Sequence, residues 1–467
     1  MKGNIIFMWL VVWGMCVGVI APINSQNLDL SETQFIRQVI AHHPALKAAE
    51  LGVALGEAEI QAASGQFDPI LGLGFERKFF SDKLYFNKSK ATISQPISPF
   101  GIDLSGGFEY NNGINLNPEN SSGTSGVGFL GIDIPLISGL LTDQRRTRVA
   151  LSRINLEEEK QKFRAAKNDI LFDALDKYWS WVIELRKLQL LQEVTFNNLR
   201  VLNGIRSAFL AGELAEIDTL EANVQYQRLN ILLNNQLITV NLRFNRLRNF
   251  IWDENLKTGF NSFIIPLGST SPEIINTLTA FEKKPASNPF LRLLELQRRK
   301  LKADEQLRKE FVKPRLDLQA KILYDPSRTI TEQPWLNENY NLGAKLGFPL
   351  FFRTARAELQ KNRINLDQNE LRISDFNFNL QNSLNNIDFT INQLSSQLSL
   401  LELLVNDSRK LYEAELRKFD LGESSIFLIV SRENQFLQNT LSLLDLELRN
   451  IIENYRLHHL FGRLGDL

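Results

Sequence analysis

Cysteine is nearly absent from this chain of 467 residues, and histidine and methionine are scarce. The only cysteine is Cys16, and there are 4 His and 3 Met. A disulfide framework and a cysteine-based metal site are therefore excluded. The chain also has no net charge, because 53 basic side chains balance 53 acidic ones. Without a basic excess the usual electrostatic signature of a nucleic-acid-binding protein is missing, and we expect no nucleic-acid partner.

Catalytic and nucleotide-binding motifs are missing as well. The sequence contains no GxSxG nucleophile elbow, no phosphate-binding loop and no dinucleotide fingerprint. Its histidines occur only as the adjacent pairs His42-His43 and His458-His459. Adjacent residues on a helix diverge by about 100°, so neither pair forms a chelating face, and equatorial packing or surface exposure is the favoured interpretation. We predict no catalytic residue, no cofactor, no metal site and hence no enzyme.

A long apolar run occurs only at the N-terminus. It extends from Ile5 to Ile20, follows a single lysine and ends in small and polar residues. This pattern is typical of a secretory signal peptide, which we place at residues 1–25. The alternative is an uncleaved membrane anchor, since the run is nearly long enough to cross a bilayer. No later stretch approaches 18 uninterrupted apolar residues, so any further membrane contact is expected from β-strands.

The sequence contains an internal duplication. The tetrapeptide RINL occurs at residues 153–156 and again at 363–366, 210 positions later. The same offset relates three further pairs: Phe209 and Phe419, Gly212 and Gly422, Gln225 and Gln435. Several coincidences at one offset indicate a structural repeat. We therefore predict a first repeat at residues 26–265, an equatorial segment at 266–287 and a second repeat at 288–467.

Each repeat contains segments with strand periodicity. Residues 315–324, RLDLQAKILY, alternate strictly between apolar and polar side chains, and residues 340–349 follow the same pattern. Ten alternating residues match the length of a tilted membrane-spanning strand, although a half-buried soluble sheet has the same pattern. The first repeat has weaker, glycine-rich versions between residues 69 and 135 and an insertion of about 31 residues. Whether this insertion adds strands or an extracellular loop stays open.

Long helices follow the strands. Apolar residues recur in steps of three and four, as in a coiled coil, within residues 171–185, 233–251, 380–405 and 437–455. No proline, and no central glycine but Gly204, interrupts residues 142–210 and 354–420, each roughly 100 Å long as a helix. Both segments end near a glycine, Gly212 or Gly422, which suits the left-handed residue after a helix. The return helices, at 214–251 and 424–460, are only about half as long. The helix that precedes the strands in each repeat has about the missing length and would stack on the end of a return helix. Each chain then has four helical columns of similar height.

In order and spacing, these blocks resemble the TolC family of outer-membrane channel proteins, also called outer-membrane factors. The resemblance is carried by the strand ends IPLISGLLTDQRRTR and FPLFFRTAR, both RINL segments, and the turns LAGEL and DLGES. It implies a mainly α-helical fold with a membrane β-barrel segment. In that fold three chains form a periplasmic α-barrel and a 12-stranded barrel, about four strands from each chain, in the outer membrane of a Gram-negative bacterium.

The resemblance also implies where functional residues lie. Gly212 and Gly422 would form the periplasmic tips, where an adaptor docks. Family members carry acidic residues at the closed aperture six and nine positions after the second glycine, but this chain has Leu428 and Ser431 there. A constriction formed by these two residues with Phe427 is the candidate instead. Acidic residues at the tips are candidates for an entrance field or adaptor contact, with a solvated helix face as the alternative: Glu213, Glu216, Asp218 and Glu423, with Glu221 and Glu433 nearby.

Two functions fit this pattern. The first is a passive exit duct for efflux or type I secretion, with a periplasmic adaptor and an inner-membrane RND or ABC transporter as partners and outer-membrane lipid around its barrel. The second is a periplasmic coiled-coil adaptor or scaffold without a pore. The alternating strands favour the duct, because an adaptor has no use for strands with a lipid-compatible face.

Overall fold

The structure, a computed structural model, describes residues 30–252, 272, 274–275, 288–329, 331 and 338–467. The predicted signal peptide lies outside the described residues, and so does most of the predicted equatorial segment at 266–287. The described residues include seven long or medium α-helices and six strands. The helices are α1 (Glu32–His42), α2 (Pro44–Ser64), α3 (Gln144–Leu210), α4 (Glu216–Arg248), α5 (Pro289–Phe311), α6 (Arg353–Asp420) and α7 (Ile426–Leu460). The strands are β1 (Ile70–Phe80), β2 (Lys83–Ile97), β3 (Ile102–Asn112), β4 (Val127–Pro135), β5 (Arg315–Tyr324) and β6 (Tyr340–Gly347).

The two long helices, α3 and α6, have 67 and 68 residues. Their observed bounds lie within two residues of the sequence-based ranges 142–210 and 354–420. The Asp143 carboxylate caps α3 by accepting a hydrogen bond from the Arg146 amide at 2.8 Å, which satisfies one of the free donors at the helix start. None of the helices in the described part of the chain carries the long apolar stretch that a membrane span requires.

The short helices stack end to end beside the long ones. Helix α2 packs on α3 above α4, and α5 packs between α3 and α6 above α7. The end of α7 meets the start of α5, where the Asn288 side-chain amide donates to the Leu460 carbonyl at 2.7 Å. The end of α4 meets the start of α2, where the His43 ring stacks on Phe250 at 5.7 Å. The lateral order of the resulting columns is α4/α2, α3, α7/α5 and α6.

The six strands form one antiparallel sheet in the order β1-β2-β3-β4-β5-β6. The prediction of a mainly helical chain with a β-sheet segment is confirmed, but the expected count of about four strands is wrong. The inserted segment supplies β2 and β3, which pair with each other and, on their outer sides, with β1 and β4. The insertion therefore adds strands, because its backbone groups find partners in the sheet.

The sheet has one apolar and one polar face. Paired residues Leu73 and Ala91, or Leu130 and Ile322, place their side chains on the same side. The opposite side carries charged pairs, including Lys90 and Glu109, which are 2.7 Å apart. Large apolar side chains on the first face are mostly solvent-exposed in the single chain: Leu71, Leu73, Phe75, Ile93, Leu104, Phe108, Leu130, Leu342 and Leu346.

The main hydrophobic core lies at mid-height, where α1 meets α3, α4 and α7. Tyr178, Trp179 and Tyr455 are fully buried in it. The Glu32 carboxylate, also fully buried, accepts a hydrogen bond from the Trp179 indole at 2.7 Å and one from the Tyr455 hydroxyl. A buried carboxylate needs such donors, so Glu32 fixes α1 against two other helices.

Candidate functional site

The two helix tips are turns of the same kind. In the first, the Gly212 amide donates to the Phe209 carbonyl and the Glu213 amide donates to the Ala208 carbonyl, at 3.0 and 2.9 Å. The second turn repeats both bonds around Gly422. These are Schellman motifs, which require a left-handed residue. The φ angles are +78° at Gly212 and +75° at Gly422, and a side chain at either would meet open space but strained backbone.

The candidate constriction residues lie in the first turns of α7. Ile426 and Ile429 are buried, and Ile426 packs against Leu202 and Ala222 of the first repeat. Phe427, Leu428 and Ser431 are exposed: 64% of Phe427 and 40% of Leu428 are accessible. The helix thus turns one side toward α3 and α4, and the three predicted residues share the opposite, uncovered side.

The candidate acidic residues divide into two groups. Glu213, Glu216 and Glu423 are exposed at the tips. Asp218 is half-buried, and its carboxylate accepts a hydrogen bond from the Ala215 amide at 3.2 Å at the start of α4. Asp218 therefore caps the start of α4 and also adds negative charge at the tip.

Glu433 differs from the other tip acids because it is buried, with 2% of its surface exposed. Its Oε2 atom accepts hydrogen bonds from the Asn198 amide at 3.1 Å and the Gln225 amide at 2.8 Å. The Tyr412 hydroxyl donates to Oε1 at 3.4 Å. These four residues belong to α3, α4, α6 and α7. We call them the four-helix node, since one carboxylate joins every helix at this level.

Burial controls the electrostatics of the node. Desolvation raises the pKa of Glu433, while its hydrogen bonds from Gln225, Tyr412 and Asn198 oppose that rise. Burial and the adjacent carboxylate also raise the pKa of Tyr412, so the phenol stays a donor. The interpretation of Glu433 as part of a solvated acidic face is wrong, because four helices enclose it.

A signal for the node was present in the sequence. The apolar steps along α7 run through Leu437, Leu441 and Leu444. Two further steps of four residues toward the tip, from Leu437, give positions 433 and 429, so Glu433 occupies a position on the same apolar seam as Ile429. An acidic residue at such a seam position must be paired or must break the packing. Its partners could not be identified, because Asn198 and Gln225 come from the other repeat.

Three of the four histidines have packing or polar contacts, and His42 is exposed. His458 is buried, and the His459 imidazole lies 2.7 Å from the Asp169 carboxylate. His43 stacks on Phe250 as described above. In the described ranges no group of three or more His, Cys, Asp or Glu side chains has the arrangement of a metal site.

No protein-family model matches this chain, and no curated protein is significantly similar to it in sequence. Solved structures match it over nearly the whole length. CusC, whose structures concern folding and transmembrane channel formation, gives a TM-score of 0.65 at 13% identity, over 92% of this chain and 91% of that chain. The chain has the fold of an outer-membrane channel protein.

Two further structures with this channel fold extend the comparison. The CmeC outer membrane channel of Campylobacter jejuni matches with a TM-score of 0.63 at 10% identity, over 94% of this chain and 86% of that chain. The MtrE outer membrane channel of Neisseria gonorrhoeae, in its open state, matches with a TM-score of 0.63 at 12% identity, over 92% and 88%. The outer-membrane channel fold thus accounts for both the helical columns and the sheet.

Proposed function

We propose that the protein is the outer-membrane exit duct of an efflux or type I secretion system. Three copies form a passive channel whose sheets lie in the outer membrane and whose helices form a periplasmic tunnel. The tips at Gly212 and Gly422 face a periplasmic adaptor and an inner-membrane RND or ABC transporter, which supplies the energy. Its fold, shared with outer-membrane channels, supports this proposal.

The two-faced sheet is the observation that carries the proposal. Its apolar side exposes large aliphatic or aromatic side chains on all six strands, including Ile93 of β2 and Leu318 of β5. Its polar side carries Lys90, Glu109 and Lys321. A sheet of this kind suits lipid on one side and an aqueous lumen on the other. Exposed apolar area of this extent is costly in water.

The lateral flanks of the chain support assembly with further copies. On α6, Phe378, Phe389, Leu400 and Leu411 are exposed at a spacing of 11 residues. On α4, which borders the opposite flank, Leu220, Ile231 and Leu242 are exposed at the same spacing. An 11-residue spacing keeps a stripe nearly straight along a helix. The two stripes can therefore run beside each other for several turns.

The stripes also match in height. Leu220 lies 8 residues after Gly212, and Leu411 lies 11 residues before Gly422. Each apolar side chain of α6 is thus about 4.5 Å farther from its tip than one of α4. Side chains at this offset interdigitate when α4 of one copy packs against α6 of the next. Because the two surfaces differ, the contact is head-to-tail and closes as a ring.

The tip residues suggest a gate. Three copies of Phe427 and Leu428, pointing away from the chain's own helices, would meet near the symmetry axis. Ser431 lies one turn farther along the same side. An apolar constriction of this kind gates by excluding water. Glu213, Glu216 and Glu423, exposed at the tip, give the entrance a negative field or contact the adaptor.

Channel recordings test the proposal. Purified trimer in planar lipid bilayers should conduct, and Leu428→Ala should enlarge the conductance because it widens the constriction. Leu210→Ala is the matched control, since Leu210 is 84% exposed at the end of α3 and lies outside the constriction. A mature chain that stays monomeric and soluble without detergent would instead indicate an adaptor without a pore.

A further inference from the structure

The inserted strands β2 and β3 are anchored at the junction between sheet and helices. The Arg145 guanidinium, in the first turn of α3, forms a two-pronged ion pair with Asp103 of β3, at 2.7 and 3.2 Å. The Gln95 amide of β2 donates to the Phe67 carbonyl at 2.7 Å, just before β1. Bidentate charged pairs fix orientation as well as position. The insertion is therefore anchored at β3 by α3 and at β2 by the segment that precedes β1.

The turn between these strands is fitted closely to the segment that precedes α3. Gly101 has a φ of +65°, and a Cβ atom there would lie 2.7 Å from the Gly139 carbonyl oxygen. Such a short separation would force the backbone apart, so the turn requires glycine. This contact lies at the helical end of the sheet, and the β1–β2 turn and the β3–β4 loop lie at the far end.

Both faces of the sheet continue through the insertion. Ile93 of β2 and Phe108 of β3 are exposed on the apolar side. On the polar side, Phe129 of β4 is covered by the Lys90 and Lys321 ammonium groups, at 5.6 and 5.2 Å from its ring centre. The side-chain pattern expected of a barrel wall thus runs unbroken from β1 to β6.

The added strands bring the width of the sheet to that of the helical layer. Six strands about 4.8 Å apart, tilted by about 40°, span roughly 37 Å of circumference. Four helix columns about 8–10 Å apart span roughly 32–40 Å. Four strands would span only about 25 Å at the same tilt. With β2 and β3 included, the sheet and the helical layer of each chain cover about the same length of circumference.

The even number of strands in the sheet also permits the sheets of several copies to close into a barrel. Successive strands are antiparallel, so β1 and β6 run in opposite directions. Pairing β6 of one copy with β1 of the next is then antiparallel, as at every other position in the sheet. Both edge strands are almost entirely exposed and apolar on one side, and such edges pair readily with another chain.

We propose that β2 and β3 are wall strands, and that three copies of the six-stranded sheet close through β1–β6 contacts into an 18-stranded barrel. The barrel is then about 36 Å across at the backbone, compared with about 24 Å for 12 strands. The exit through the membrane is as wide as the helical tunnel below it. This inference rests on the proposed trimeric duct.

Cysteine labelling in lipid tests the position of the hairpin. Cys16 is the only cysteine in the chain and lies in the predicted signal peptide, so introduced cysteines can be followed singly. Thr92→Cys and Ile93→Cys form a matched pair, because these neighbours in β2 face opposite sides. A charged maleimide should label the cysteine at position 92 and should fail to label the one at position 93. A fluorophore attached at position 93 through an apolar maleimide should instead be quenched by a lipid-borne quencher. Equal maleimide labelling at both positions would overturn the inference.

Two measurements on the full chain test closure. Electron-microscopic density of the membrane region should show a ring about 36 Å across. Disulfides should form between copies from Leu73→Cys in β1 to one of Leu342→Cys, Ala344→Cys or Leu346→Cys in β6. A conducting trimer with a ring about 24 Å across would overturn the wide barrel alone. Absence of both trimer and conductance would overturn the proposed function, and the barrel with it.

A deletion of residues 83–112 provides an independent variant. It removes β2 and β3 together, preserves the antiparallel order of β1 and β4, and leaves residues 81–82 and 113–126 as their loop. If the variant folds, its ring should shrink to the 12-strand width. An unchanged width would show that the hairpin lies outside the wall. If it does not fold, the labelling and imaging of the full chain still decide.

Discussion

Replacing Glu433 by alanine should loosen the tip, because the four-helix node depends on its carboxylate. The substitution removes the acceptor for the Asn198 amide and the Tyr412 hydroxyl, which then have no carboxylate partner. The Gln225 amide keeps a second acceptor, the Asn434 side-chain oxygen at 3.1 Å. The buried Asn198 amide and the half-buried Tyr412 hydroxyl therefore both lose their acceptor.

The magnitude follows from that count. Each buried donor without a partner costs about 1–3 kcal/mol. Relief of the desolvated carboxylate offsets part of the total, so we expect a net loss of about 3 kcal/mol. If the tip opens as a local unit, amide exchange there should accelerate by about a hundredfold. The effect should be confined to the tip ends of α3, α4, α6 and α7.

Hydrogen exchange followed by mass spectrometry on the purified protein measures this change. Peptides around the equatorial residue Trp179 serve as the internal reference. The duplication supplies a matched control, Asn223→Ala, since Asn223 lies 210 positions before Glu433 and is only half-buried. We expect a change within about 0.5 kcal/mol for that variant. Equal exchange in the two variants would refute the assigned role of the node.

Three further predictions follow from single contacts. Gly212→Ala and Gly422→Ala should each cost about 1–2 kcal/mol and increase proteolysis at the tips, whereas Gly204→Ala within α3 should stabilise. Glu32→Ala should release α1, measured as proteolysis of residues 30–43, because the buried indole and phenol lose their acceptor; an undigested segment would contradict this. Since burial raises the pKa of Glu433 above its usual 4.5, its contribution to stability is present below that value and lost as pH rises through the raised pKa. Glu433→Gln should abolish this pH dependence of tip exchange.

Local periodicity made much of the fold predictable. The proline-free segments, the three- and four-residue steps within them and the glycine turns locate the long helices within two residues, because these features depend on neighbours in sequence. Strand β5 alternates fully and was predicted from Arg315 to Tyr324. These elements carry their signal within one helix or one strand.

Features that depend on distant partners were left open or missed. In β2 the apolar side includes Asn87, Ser89 and Gln95, so the alternation is too weak to indicate a strand. Its pairing with β1 and β3 supplies the missing stabilisation. Likewise two of the three partners that surround the buried Glu433, Asn198 and Gln225, lie more than 200 positions earlier. Neither outcome can be deduced from the hydrophobic pattern of one segment.

The end-to-end stacking of the short helices has a mechanical consequence. Of the four columns, α3 and α6 are unbroken rods, whereas the other two have joints at mid-height, at the His43–Phe250 and Asn288–Leu460 contacts. A jointed rod pivots where a continuous one must bend. We expect sideways displacement of the tips to be absorbed at these two joints, so that the sheet keeps its shape while the far end of the molecule moves.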